Sequence, residues 1–196
     1  MSTPLFETRQ IPAAPSAAGP RPAVTITVYG EPGPQGSKRH VGNGVMIESS
    51  AKVKPWRQDV KHAALTAMEL PDATIGAVQL HRPPLDGALA ASMVFTFGRR
   101  KGHYRTGRNA HLLRDSAPHR PAVYPDLSKI LRSTEDALTG VVWADDQRVV
   151  EYVRLAKYYA GTDAPDVLDR PGCVIRVWRL DELAGCAWPD REQVTR

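Results

Sequence analysis

Sixteen residues constrain this chain most: PDLSKILRSTEDALTG, Pro125 to Gly140. Proline suits the first position of a helix and glycine the position just past its end, so the segment is bracketed as a helix at both ends. At about 100° per residue, Leu127, Ile130, Leu131, Thr134 and Leu138 fall on one apolar stripe. Lys129, Arg132 and Asp136 fall on the opposite side, where Arg132 and Asp136 are spaced as an i, i+4 surface pair. Asp126 stands where a carboxylate either caps the first turn or faces the positive helix N-terminus. An amphipathic helix must bury its stripe against something, and the flanking segments supply sheet.

AVTITVYG, Ala23 to Gly30, alternates β-branched residues and reads as a first strand. The loop EPGPQGSKRHVGNG follows, clustering Lys38, Arg39 and His40, and Val45 to Ile47 closes a short hairpin. A second helix spans AKVKPWRQDVKHAALTAMEL, with Ser49 or Ser50 as cap. Pro55 confines the start of its regular part to near Lys54, and its stripe is Trp56, Val60, Ala63, Ala64 and Ala67. Asp86 to Phe97 reads as a long strand, Val149 to Tyr159 as a strand of mixed alternation, and Cys173 to Leu180 as the last. This order predicts an α/β (α+β) fold, a small mixed β-sheet packed against two principal helices.

The 196 residues suit a single domain with tails. Residues 1–22, rich in Pro, Ala and Ser, read as a disordered tail. Residues 23–180 form the domain, and 181–196 a polar C-terminal tail. No apolar run reaches the roughly 20 residues of a membrane span. MSTPLFETRQ lacks the basic start and apolar core of a secretory signal, so a cytoplasmic protein is expected. Cys173 and Cys186, with no CxxC spacing, read as free thiols.

Charge is unevenly distributed. The chain carries a formal +5, yet Arg99 to Arg120 alone carries +6: Arg99, Arg100, Lys101, Arg105, Arg108, Arg114 and Arg120 against Asp115. With Gly102, Gly107 and Pro118 and no apolar periodicity, the segment reads as a long loop. A basic segment on a near-neutral remainder suits a polyanion, although a solvated charged loop has the same composition. His103, His111 and His119 match no ligand spacing and read as polar loop residues.

Five carboxylates lie between Asp126 and Asp146: Asp126, Glu135, Asp136, Asp145 and Asp146. Carboxylates gathered in one pocket repel unless a cation joins them, and Mg²⁺ prefers such oxygen ligands. Beside DNA, such an ion activates water for phosphodiester hydrolysis, and Lys129 and Arg132 can hold the phosphate. Each acid also has a plainer role: Asp126 as a cap, Asp145-Asp146 as a polar turn, Asp136 as half of a surface pair.

The run PDLSKILRSTEDALTGVVWADDQRVV resembles the central signature of the RusA-like crossover-junction endodeoxyribonucleases, the Holliday-junction resolvases of phages and prophages. That signature reads PD-x-D-N-x-x-K, then DAL-x-G, then DD-x-QV. Asp136-Ala137-Leu138 with Gly140 matches its helix end, and Asp145-Asp146 with Val149 its acidic pair; PGPQGSKRH resembles the basic turn after its first strand. The resemblance places the central acids on Asp126 and Asp146, with Asp145, Asp136 and Ser128 as further candidate metal ligands. Ser128 stands where the family has a second acid, Lys129 where it has Asn, and Arg132 where it has its functional lysine.

The resemblance implies a Mg²⁺-dependent homodimer, with Mn²⁺ as substitute, that nicks four-way and branched DNA symmetrically. It would work near the nucleoid of a bacterial host cell, in recombination and repair. Asp126, Asp146, Arg132 and Lys129 would be catalytic, and Lys38, Arg39, Arg99, Arg100, Lys101, Arg105, Arg108 and Arg114 would bind DNA. Ser128, which brings no negative charge, motivates a rival reading: a branched-DNA-binding protein of the same fold without cleavage. An enzyme of small phosphate compounds would need a GxxxxGK[ST] or GxGxxG loop, and neither is present.

Overall fold

The computed structural model describes residues 20–36, 38–40, 46–48, 51–75 and 78–183. The elements in order are β1 (Val24–Tyr29), β2 (Lys38–His40), β3 (Met46–Glu48), α1 (Val53–Met68), β4 (Glu69–Ile75), β5 (Val78–His81), β6 (Leu89–Phe97), α2 (Leu127–Leu138), β7 (Val149–Tyr159) and β8 (Gly172–Arg179). The main sheet runs β1-β8-β6-β7, with β6 and β7 parallel and the other pairs antiparallel. It is the mixed sheet with two principal helices expected from the sequence, an α+β fold.

The helices cover one face of the sheet. Trp56, Val60, Ala64 and Met68 of α1 and Ile130 and Leu138 of α2 join Ile26, Leu89, Met93, Phe95 and Ile175 in one buried cluster. Trp56 donates its indole N–H to Thr134 Oγ1 at 3.0 Å, tying the two helices inside the core. Strand β6 is buried along both faces, because residues 160–171 close the back: Leu168 N donates to Thr96 Oγ1, and Asp166 pairs with Arg176. This Pro/Asp-rich connection between β7 and β8 therefore covers the back of the sheet. Cys173 is a free, buried thiol in β8, and Cys186 lies outside the described residues.

Three sequence expectations need correction. The first helix ends at Met68, and the chain turns at once into the antiparallel pair β4–β5, which the sequence reading did not anticipate. Lys52, not a serine, occupies its N-cap; Ser49 and Ser50 lie outside the described residues. Most of the expected tail, residues 1–19, is also outside them, but Pro20 already docks, accepting the Trp178 indole N–H at 2.9 Å. No helix among the described residues is long and apolar enough to cross a membrane.

Candidate active site

Helix α2 carries acidic residues at both ends. At its start Asp126 is the N-cap residue, but its side chain makes no cap hydrogen bond. It forms instead an ion pair with Lys129 at 3.2 Å, with its own side chain 59% exposed. Exposed Ser128 is its neighbour. Lys157, near the far end of β7, donates Nζ to the Val123 and Pro125 carbonyls at 2.9 and 2.8 Å and so fixes the approach to the helix. The Pro/Gly turn after β1 packs here too: Gln35 N donates to Lys129 O, and Ser133 Oγ donates to Gly33 O. Gly33 must be glycine, since a Cβ there would overlap the Lys52 carbonyl.

The basic loop lies at this same end, because it leaves β6 at Phe97, whose partner in the parallel register is Tyr159 of β7. It is folded, not open. Arg105 N donates to Leu112 O and Arg114 N to His103 O, and Tyr104 bridges Leu113. Part of its charge is spent internally. Arg105 pairs with Asp115 at 2.9 Å, Arg114 Nε donates to Tyr104 O, and Arg99 lies 4.5 Å from the centroid of the Tyr159 ring. Arg100, Lys101 and Arg108 are exposed and make no ion pair among the described residues. Lys38 and Arg39 sit on β2, paired with β3.

At the other end of α2, Thr139 closes the helix and Gly140 follows with a φ of 78°, the left-handed position expected of a glycine there. The chain tucks Val142 and Trp143 into the core. Trp143 Nε1 donates to Asp146 Oδ1 at 3.1 Å, and the Thr139 hydroxyl donates to the same oxygen. Asp145 accepts from Gln147 N at 3.0 Å, capping the turn into β7. Tyr152 of β7 donates its hydroxyl to Glu135. Burial raises the Glu135 pKa; the Tyr152 bond opposes this, and the charges of Asp146 and Asp136 push the same way as burial. Tyr152 is itself pushed up, by burial first and then by Glu135. Asp136 pairs with Arg57 of α1, not with Arg132 as the i, i+4 spacing suggested.

Glu135, Asp136, Asp145 and Asp146 thus share one end of α2, while Asp126, Ser128 and Lys129 occupy the other. Thirteen residues at the α-helical rise separate Asp126 from Thr139, the residue that holds Asp146, by about 20 Å. The convergence of Asp126 and Asp146 expected from the sequence does not occur within one chain. Among the described residues, no three His, Cys, Asp or Glu side chains stand together as a metal site. One chain alone therefore does not fit a divalent cation between those two acids. Sequence spacing assigns Glu135 no role of its own; its tie to Tyr152 depends on β7 register and is invisible in spacing.

The matched region places the chain among endodeoxyribonucleases by family: the family model described as "Endodeoxyribonuclease RusA" covers residues 30–167. That stretch takes in the Pro/Gly turn, the basic loop and both ends of α2, and the chain belongs to the RusA endodeoxyribonuclease family, which cuts DNA at Holliday junctions. It is also similar to the uncharacterized protein YqaN of Bacillus subtilis (strain 168), 28% identical over 154 residues that make up 75% of this chain and 95% of that protein.

Proposed function

We propose that this protein resolves four-way DNA junctions by paired, symmetric nicks as a homodimer whose two sites are each shared between copies. Family membership over residues 30–167 is the observation that carries the reading. The split of the acids along α2 shapes it. An antiparallel, two-fold pairing of two such helices sets Asp126 of one copy against the partner's Asp146, and does so twice. Two facing carboxylates need a counter-charge; Mg²⁺, or Mn²⁺ in its place, supplies it and acidifies water when bound. Lys129, freed from Asp126, and exposed Arg132 then hold the scissile phosphate. Arg100, Lys101 and Arg108 engage flanking phosphates, with Lys38, Arg39, Arg99, Arg105 and Arg114 in support, a mode that reads DNA shape rather than sequence.

Complementation tests the shared site. Asp126→Asn and Asp146→Asn homodimers should each leave a synthetic four-way junction uncut while still binding it. Mixed in equal amounts and allowed to exchange subunits, half the dimers become mixed, each with one intact site, so about a quarter of wild-type sites return. No recovery despite verified exchange rejects the shared site. Full cleavage by both single variants rejects these acids altogether.

Ser128 and the Asp126–Lys129 ion pair favour a second reading, a junction-binding protein without cleavage. Tight binding with no nicking in Mg²⁺ or Mn²⁺ would select it.

A further inference from the structure

Between the Pro/Gly turn, the end of β6 and the approach to α2 lies a cleft of about 290 Å³, of whose lining the reading above uses Arg100 alone. Its lining includes Phe97, Tyr124 and Tyr159, with Pro34, Pro121 and Pro125. Tyr159 is held rigid: Arg99 packs on its ring, and His103 meets it edge-on at 5.2 Å. Tyr124 differs. It is 66% exposed, yet its backbone is held on either side by the Lys157 bonds to Val123 and Pro125. An ordered chain that presents a large ring to water beside a cleft has a surface suited to a planar partner. Lys52 and Arg100, both exposed, also line it, with Glu31 as the one acid in that lining among the described residues.

The dimensions and chemistry select among ligands. About 290 Å³ lies at the small end of ligand pockets and is ample for one ring system. Aromatic walls are superfluous for a bare phosphate and well suited to the π-face of a base. Cations in the lining of an apolar slot match a nucleotide, whose flat part is apolar and whose link carries charge. Position agrees, because Pro125 lines the cleft and Asp126 follows it directly.

We infer that this cleft captures one unstacked nucleobase of the DNA, stacking it on Tyr124 while Lys52 and Arg100 hold the adjoining phosphates. The inference rests on the nuclease reading for its ligand, DNA, but not on cleavage. A base in continuous duplex must give up stacking and pairing to enter; a base at a branch point has less to lose. The cleft therefore gives a physical origin for preferring branched over linear DNA.

The test measures junction affinity in EDTA at fixed salt, with wild type, Tyr124→Ala and Tyr124→Phe. It uses four-way junctions carrying a single abasic nucleotide at successive positions from the branch point. Tyr124→Ala should weaken binding roughly 5- to 150-fold, the fold-change of losing one stacked base. Tyr124→Phe should bind as wild type does, and the salt slope should stay unchanged in both. At one abasic position wild type and Tyr124→Ala should bind alike, since the partner of the ring is gone. Wild-type affinity in Tyr124→Ala overturns the inference, and so does a loss that persists at every abasic position. Nicking with and without Mg²⁺ is scored separately. Tyr124–base coupling in a protein that never nicks sinks the nuclease reading alone, and nicking without coupling sinks the base cleft alone.

Discussion

The two ends of α2 hold acids in different ways. At the start, Asp126 lies largely in solvent and pairs with Lys129, three residues along the same helix. At the finish, Asp146 is fixed by the indole of a fully buried tryptophan and by the Thr139 hydroxyl, and Glu135 by Tyr152 from the adjacent strand. An exposed ion pair contributes at most about 1 kcal/mol and rearranges readily, whereas hydrogen bonds anchored in a core do not. One end is a carboxylate ready to change partner; the other is a preset receptor. The shared site proposed above would use one of each.

The largest expected effect follows from chemistry at both ends: Asp126→Asn and Asp146→Asn should each lower junction nicking by on the order of 10³-fold or more, scored on a denaturing gel. Stability should separate them. Trp143→Phe, which keeps a ring in the core but removes the donor to Asp146, should cost about 1–3 kcal/mol in urea unfolding. Lys129→Met at the opposite end should cost under about 1 kcal/mol. Equal costs would erase the contrast.

The basic loop sharpens the comparison further. Arg108→Ala should lower the slope of log affinity against log salt by about 0.9 and leave the melting temperature unchanged. Arg105→Ala, which loses Asp115 and the Leu113 carbonyl, should instead speed amide exchange within residues 103–114. The smallest effect concerns Glu135. Its folded-state pKa is raised, so its contribution to stability is full at low pH and is lost as pH rises through the folded value. Glu135→Gln should accordingly melt slightly higher than wild type near neutral pH. The gap should close as pH falls into the carboxylate range, as followed by circular dichroism.

Much of the fold was legible because local signals agreed with tertiary ones. Pro125, Gly140 and the Ile130–Leu138 stripe placed α2 within two residues of its observed ends. The β4–β5 pair was hidden because Leu70 continues the helical run of α1, while Pro71 and Asp72 suit no ordinary strand. The candidate site was half legible. Its residue types and the signature could be read, and helical rise alone puts Asp126 far from any residue held at Thr139. Packing a strand against a helix does not shorten the helix, so once Trp143 and Thr139 hold Asp146 at the far end the two acids of one chain stay apart. The Glu135–Tyr152 tie could not be read at all. The register of β7 against β6 shifts twice, at Val150 and Val153, and each extra residue changes which side chains face α2.

Strand β7 is also one of the two edge strands of the main sheet, and it is tied into both chemical neighbourhoods: Tyr152 to Glu135 near its beginning, Lys157 to the entry of α2 near its end. It works as a tie-rod. Its tension members are a phenol and an ammonium, so the spacing between the two acidic stations is a property of strand and helix together. Tyr158 and Tyr159, its last residues, also anchor Arg120 and Arg99 of the basic loop. Peeling this rim strand from β6 would slacken loop, helix entry and receptor in a single event, so these parts gain or lose their order as one unit.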